Sequence, residues 1–402
     1  MATGHDVVQA RTYPFGDPDR LNLNPMYAQL RRDEPLTRVR LPFGEEAWLA
    51  TRYDDVRMVL GDARFSRAAS VGRDEPRTHP HQNDSGMLAM DPPEHTRLRK
   101  LIAKAFTARR VELLRPRTQE IANGLLDDME RHGSPADLVE HFADVLPVAV
   151  ICELLGVPFA DRAKFQTWSE AIISTTSLTP QQIMEYLGNL HGYIAGLIAQ
   201  RRIQETDDLL SAMVKARDED EDRLTEQELV QLSAGLLAAG HETTVTQLPN
   251  FMYVLLTNPD RLAELRDDPS LIPAAVDELM RYIPLGTAAA FARYATEDIE
   301  VGGVLVRAGE PVLGALASAN RDERVFSDPD ELDFHRESNP HLGFGHGPHH
   351  CVGAQLARLE LQVALHALIT RFPKLHLAVA EEELPWKKGM LVRGLKKLPV
   401  AW

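Results

Sequence analysis

The stretch FGHGPHHCVG, Phe344 to Gly353, holds three glycines, three histidines and one of the chain's two cysteines. It leads into CVGAQLARLELQVALHALITRF, whose apolar period of about 3.6 residues predicts a helix. A sulfur at the start of a helix lies near the positive end of its dipole, where a thiolate is stabilised. Gly345, Gly347 and Gly353 let the backbone approach closely and aim amide N–H groups at Cys351. A thiolate held in this way makes a good iron ligand, and an axial Cys thiolate pushes electron density onto haem iron. Zinc is a second chemistry, because His341, His346, His349 and His350 lie nearby. A single Cys without the paired spacings of structural zinc sites counts against it. A Cys/His nucleophile is a third, and no second hydrolase element accompanies it.

The bulk composition narrows the field. At 402 residues and 44% hydrophobic, the chain can bury a large core. Its net charge of −15 argues against a nucleic-acid binder that works by neutralising phosphates. The start of the chain, MATGHDVVQARTYPFGDPDR, has no apolar stretch of signal-peptide length. The most apolar run elsewhere, LVQLSAGLLAAG, falls well short of the roughly 20 residues that cross a bilayer. Two cysteines make no disulfide framework, and Cys152 in AVICELLG reads as a small buried hydrophobe. A soluble, cytoplasmic protein with no membrane and no nucleic-acid partner is expected.

Most long segments carry the helical period, among them RVELLRPRTQEIANGLLDDMERHG and PVAVICELLGVP. Strand-like pieces are short: LTRVRL with AWLATR as a hairpin, FARYATEDIEVGGVLVRAGEPVL, and the terminal GMLVRGLKKLPVAW. Residues 65–93 are rich in Pro, Gly, His and Asp and read as a long functional loop. The expected fold is mainly α: one large helix-rich domain over residues 1–402 with a smaller β-rich portion.

One helix stands out. Thr225 and Glu228 have capping-box spacing, and the pattern runs to Thr257 before Asn258-Pro259, with a kink expected at Pro249. Its middle carries AGHETT, with Glu242, Thr243 and Thr244. In an ordinary helix Glu242 faces water and Thr243 bonds back to the Ala239 carbonyl. Here Gly240 weakens the helix at the same place, and local rules that fail together mark a functional site.

These motifs together resemble the cytochrome P-450 family. FGHGPHHCVG resembles its haem-ligand loop and AGHETT its oxygen-activating helix. ELMR supplies Glu278 and Arg281 with the family's Glu-x-x-Arg spacing, and HTRLR supplies His95 and Arg99 with the spacing of its propionate clamp. The resemblance covers nearly the whole chain. It implies haem b (iron protoporphyrin IX) buried between the central helix and the Cys-loop helix, with Cys351 as the metal ligand. It implies that His95, Arg99, Arg293 and His349 bind the propionates, and that Phe344 and Gly353 complete the cofactor loop. His349 stands where many members have Arg, and Pro348 stiffens the loop. Glu278 and Arg281 are implied to be a structural ion pair, with Arg336 as a third member. Glu242 and Thr243 are implied to be catalytic, delivering protons during oxygen activation; peroxygenase members lack such an acid–alcohol pair.

The chain shows no flavin- or nicotinamide-binding segment, so the resemblance implies an acidic ferredoxin with its reductase as electron donor. Residues 97–117 hold eight Lys/Arg and one acid; Lys100, Lys104, Arg109 and Arg110 are expected to steer that partner. The implied substrate pocket comprises Met87, Leu88, Leu236, Leu237, Ala239, Ala288, Ala289, Phe291, Met390 and Leu391. All are apolar, which points to a hydrophobic substrate taken with O2. FTARRVE, PVAVICELLGVP, SANRDERVF and RLELQVAL are similar to actinobacterial members that tailor macrolides and other polyketides. Asp74, Glu75 and Asp84 are read as loop charges able to attract an amino-sugar cation. Hydroxylation or epoxidation in antibiotic biosynthesis is the expected activity. Terpenoid or sterol oxidation, coupling or desaturation, and a haem-binding sensor or carrier are its alternatives.

Overall fold

The Thr225 hydroxyl accepts from the Glu228 amide while the Glu228 carboxylate accepts from the Thr225 amide, so both halves of the capping box are made. From it the central helix runs Glu226–Thr257 and continues through Pro249. This computed structural model describes residues 9–80, 86–220 and 223–402. The central helix packs against Leu146–Leu155, Pro180–Ile203, Arg162–Ile173 and the Cys-loop helix Ala354–Arg371. Its buried residues Leu229, Leu237, Phe251, Met252 and Leu255 join the main apolar core, so it is enclosed over most of its length.

Two helical expectations change in detail. RVELLRPRTQEIANGLLDDMERHG is two helices, Ala108–Glu112 and Arg115–His132, because Pro116 is favoured at a helix start and cannot extend the preceding one. The Cys-loop helix begins at Ala354, three residues beyond Cys351, with Gly353 as its cap residue.

The β portion is built of short strands. Leu36–Arg40 and Ala47–Ala50 pair antiparallel, as the hairpin reading expects. They belong to a six-stranded sheet in the order Arg11–Thr12, Leu36–Arg40, Ala47–Ala50, Pro311–Gly314, Arg293–Ala295, Phe65–Ser66. Arg293 therefore leaves from an inner strand, while Phe65–Ser66 at the edge opens the long loop. Ile299–Val301 and Val304–Val306 form a separate hairpin, and Pro399–Ala401 joins His376–Leu377 to Ala136–Asp137. Cys152 sits in the main core, where burial pushes its thiol up to about 12, as an inert apolar residue should behave.

Glu360, on the Cys-loop helix, is 1% exposed and neither carboxylate oxygen has a hydrogen-bond partner. Burial raises its pKa well above the ordinary value. The folded state therefore binds a proton that the unfolded chain releases above about pH 4.3, so stability falls as pH rises from there. Glu360→Gln removes that loss. Its advantage over the parent chain should grow between pH 5 and pH 8, by at most about 1.4 kcal/mol per pH unit. Urea midpoints at the two pH values measure this, and an advantage that does not change with pH would refute a neutral Glu360.

Candidate active site

Around Cys351 the backbone is folded tightly. Gly345 and Gly347 lie in the left-handed region at φ +73° and +70°, and the Cys351 amide donates to the Phe344 carbonyl at 2.8 Å. A Cβ on Gly347 would stand 2.4 Å from the Leu60 carbonyl oxygen, and one on Gly61 would meet the His346 ring at 3.0 Å. The loop is thus seated on the end of the helix Tyr53–Gly61. The Gly353 amide donates to the Cys351 sulfur, while the Gly345 amide donates to the Leu342 carbonyl and Gly347 serves the seating of the loop. The sulfur is open on one side and enclosed by protein on the others. Burial pushes the thiol up, and the Gly353 amide, Arg99 and Arg358 only partly offset it. A bound metal cation supplies what the protein alone does not, since a coordinating thiol is deprotonated.

Next to the loop lies a cationic cluster. The His95 and His349 rings are 4.3 Å apart, and Nε2 of each is buried without a partner. Arg293 is 6% exposed and donates to the Phe291 carbonyl at 2.7 Å. Burial, then Arg67, lowers Arg293 to about 9; burial, then Arg293, lowers His349 to about 3. Burial, then Arg99, also lowers His95. Arg99 itself donates to the His350 carbonyl at 2.5 Å, so its fork is turned toward the Cys loop. A cluster with bare nitrogens and mutual repulsion is short of anions, and two carboxylates would meet both needs.

The central helix contributes a different chemistry. Gly235, Ala239 and Thr243 are exposed at four-residue spacing in an otherwise buried stretch, which makes them one face. The Thr243 hydroxyl donates back to the Ala239 carbonyl at 3.2 Å. Glu242 does not face water: Ser169 on the helix Arg162–Ile173 donates to its carboxylate at 2.6 Å. His241 Nε2 lies 3.4 Å from the same carboxylate oxygen, and its Nδ1 donates to the Leu237 carbonyl at 2.7 Å. Burial alone would raise Glu242, but the bonds from His241 and Ser169 outweigh it and hold the carboxyl below its ordinary value.

Beneath lies a buried triad. Arg281 meets Glu278 through two bonds of 2.7 and 2.8 Å, and Arg336 reaches the same carboxylate at 3.0 Å. Asp333 N–H and Asn339 fill its remaining acceptor positions. Arg281 also donates to the carbonyls of Asn320, Pro329 and Glu331. The triad fixes the segment that leads into the Cys loop.

Comparison with known proteins then decides the family. The Cytochrome P450 family model matches residues 26–398. The mycinamicin IV hydroxylase/epoxidase of Micromonospora griseorubida is 55% identical over 98% of this chain and 99% of that protein. The nocardicin C N-oxygenase of Nocardia uniformis subsp. tsuyamanensis is 57% identical over 98% of each. The solved structure of HinD with NMFT and NO superposes with a TM-score of 0.95 at 51% identity, covering 98% of this chain and 100% of that one. The chain belongs to the cytochrome P450 family. As a P450 it is a haem-thiolate monooxygenase with the mainly α fold that its sequence implies. The residues present fit that cofactor: an exposed Cys351, and two bare imidazole nitrogens beside Arg99 and Arg293 to receive two carboxylates.

The P450's pocket-facing surface departs from the sequence reading at several points. Leu237 is 0% and Leu236 8% exposed, both packed in the main core, so the open face of the central helix keeps Ala239 and Thr243 but has Gly235 in place of the two leucines. Leu88 and Phe291 are the exposed large hydrophobics of the implied set, at 54% and 41%. Met87, Ala288, Met390 and Leu391 are half-buried, while Ala289 is buried and donates its amide to Tyr13. Glu75 is not a solvated loop charge. It is 5% exposed and ion-paired to Arg67 at 2.7 Å, because the guanidinium across the loop draws it inside. Asp74 bonds Arg77 at 2.5 Å, and Asp84 lies outside the described residues. Sequence reading missed Arg67, Ser169 and Arg358; the last stacks on Phe344 at 4.5 Å while bonding Asp277.

Removing Glu278 leaves Arg281 and Arg336 buried without their anion. Glu278→Ala should therefore lose roughly 3–5 kcal/mol of stability and much of its bound haem. Urea unfolding and the Soret-to-protein absorbance ratio measure both. Wild-type values for the two would remove the triad from its supporting role.

Proposed function

We propose that the P450 inserts one oxygen atom from O2 into a large hydrophobic natural product of the macrolide or polyketide type, by hydroxylation or epoxidation. One observation carries the oxygen chemistry. Thr243 is exposed midway along a buried helix, with the half-buried, ionised Glu242 beside it. A carrier or sensor needs no such pair. The mycinamicin relative supports the macrolide reading, and the open Gly235–Ala239–Thr243 face gives a bulky ring room. The N-oxygenase relative, at equal similarity, shows that identity alone does not fix the reaction.

Haem b is the cofactor in this reading, with Cys351 on iron and His95, Arg99, Arg293 and His349 around the propionates. When bound, it supplies reductive activation of O2. Phe344 and Gly353 complete the thiolate loop. Thr243 frees its hydroxyl by giving up one backbone bond, worth about 1 kcal/mol, and then donates a proton toward the site. Glu242, held ionised by His241 and Ser169, accepts a replacement proton and passes it to Thr243. Met87, Leu88, Ala239, Ala288, Phe291, Met390 and Leu391 confine the substrate and exclude water.

Electrons come from a small acidic ferredoxin and its reductase. Arg97, Arg115 and Arg117 of the basic segment pair with neighbouring acids. Lys100, Lys104, Arg109 and Arg110 are exposed, and among the described residues no ion pair holds them. They are the charges left for a partner. No helix among the described residues is long and apolar enough to cross a membrane; a cytoplasmic enzyme acting as one domain is the proposed setting.

Ferric protein titrated with mycinamicin IV and other macrolides should shift to high spin, whereas compact terpenoids and sterols should not. The opposite pattern would transfer the same chemistry to those substrates. Glu242→Gln should lower turnover by roughly 10²-fold or more, and Thr243→Ala should divert most reducing equivalents to peroxide. Product per NAD(P)H that stays at the parent value in Thr243→Ala would end its proton role. Reversing the charges of Lys100 and Lys104 should slow reduction by ferredoxin and flatten its salt dependence, as stopped-flow rates will show.

A further inference from the structure

Arg67 is 1% exposed and ranks among the largest fully buried side chains. It follows the edge strand Phe65–Ser66, and its guanidinium reaches three separate pieces of chain. Nε donates to the Leu88 carbonyl at 3.1 Å. Nη1 donates to the Ala292 carbonyl at 2.7 Å and to the Glu75 carboxylate at 2.7 Å. The Arg67 amide donates to Asp91 at 2.8 Å, which ties the same residue to the far end of the long loop. Glu75 is held in turn from behind, because Gly44 packs so closely that a Cβ there would stand 2.1 Å from the Glu75 carbonyl oxygen.

Two of the three pieces carry the exposed apolar side chains of the pocket, Leu88 and Phe291. Phe291 is left-handed at φ +58°, a conformation that strains a bulky residue and persists only where neighbours impose it. The neighbours are two arginines. Arg293 holds the Phe291 carbonyl at 2.7 Å, and Arg67 holds the next carbonyl, that of Ala292. The Arg67 guanidinium carbon also lies 5.8 Å from the centre of the Phe291 ring. One planar group with several fixed donors can set the distance between two walls, whereas a lysine ammonium on a flexible stem cannot.

We propose that Arg67, charge-balanced by Glu75, is a positioning residue that fixes the spacing between the Leu88 and Phe291 walls and thereby selects substrates by width. The proposal rests on the reading of Leu88 and Phe291 as pocket walls. Arg67 touches neither substrate nor the reacting atoms; it acts through the two carbonyls. Glu75 keeps the guanidinium paired, since a buried charge without its partner is strongly destabilising.

The test uses haem-loaded protein and two azoles that ligate the haem iron: imidazole, too small to reach the walls, and clotrimazole, wide enough to press on both. Arg67→Lys should weaken clotrimazole roughly tenfold or more, as misfitted apolar contacts do, and leave imidazole at the parent affinity. Glu75→Gln, which retains an acceptor oxygen for the guanidinium, should move clotrimazole in the same direction by less. Clotrimazole affinity that stays at the parent value while the melting temperature falls would mean that Arg67 is only structural. Equal weakening of both azoles would place its effect on the haem and also overturn the proposal. If Arg67→Lys does not retain haem, Glu75→Gln decides by the same comparison. Leu88→Ala and Phe291→Ala serve as controls. If neither alters clotrimazole binding, the wall reading itself fails, an outcome distinguishable from a failure of Arg67 alone.

Discussion

Everything on the proximal side hangs on the burial of Glu278 with two arginines. Three charges placed in the interior are expensive unless every donor and acceptor is met. Here they are met by Asp333, Asn339 and the carbonyls of Asn320, Pro329 and Glu331. The same bonds that satisfy the charges pin an irregular stretch which has no strand or helix of its own to hold it. Asn320 passes the constraint on, since its side chain accepts from the Leu342 amide at the entry to the Cys loop. A polar network with directional bonds can locate a loop where an apolar cluster would only bury it.

The site above is poised by deficits rather than by completed interactions. Cys351 sits where a bare thiol holds its proton, and His95 and His349 turn unpartnered nitrogens into a cluster crowded by Arg293. Each deficit is matched by one part of the haem group: a cation for the sulfur and two anions for the cluster. Glu242 is the contrast. It is fully provided with donors from His241 and Ser169, so its charge is settled before any ligand arrives.

Legibility followed distance along the chain. Cys351, Glu242 and Thr243, and the pair Glu278–Arg281 stand inside short motifs whose spacing is itself the signal. The capping box of Thr225 and Glu228 was equally plain. Glu75 was misread because a carboxylate in a polar loop normally remains in water, and nothing near it announces Arg67 as its partner. Arg67 in turn acts on Ala292, 225 residues away, and Ser169 on Glu242, 73 residues away. Leu236 and Leu237 were placed on the open face because one apolar helix looks alike on every side. The open face is marked by small residues: Ala239 stands among the residues the sequence implied, whereas Gly235, with no side chain, escapes an apolar count. The break before Pro116 was written in the chain, yet the apolar period ran across it unaltered.

The seating of Gly347 on Leu60 and Gly61 has a consequence for how such an enzyme diversifies. Gly347 cannot acquire a side chain without displacing the backbone of Leu60 and Gly61, and a side chain on Gly61 would crowd the His346 ring. The floor of the site therefore offers almost no room for variation. The proposed walls are another matter, since Leu88 and Phe291 are exposed. On the proposed reading, novelty in substrate accumulates at these walls while the Cys351 loop stays fixed, so that relatives named for hydroxylation, epoxidation and N-oxygenation can share one floor.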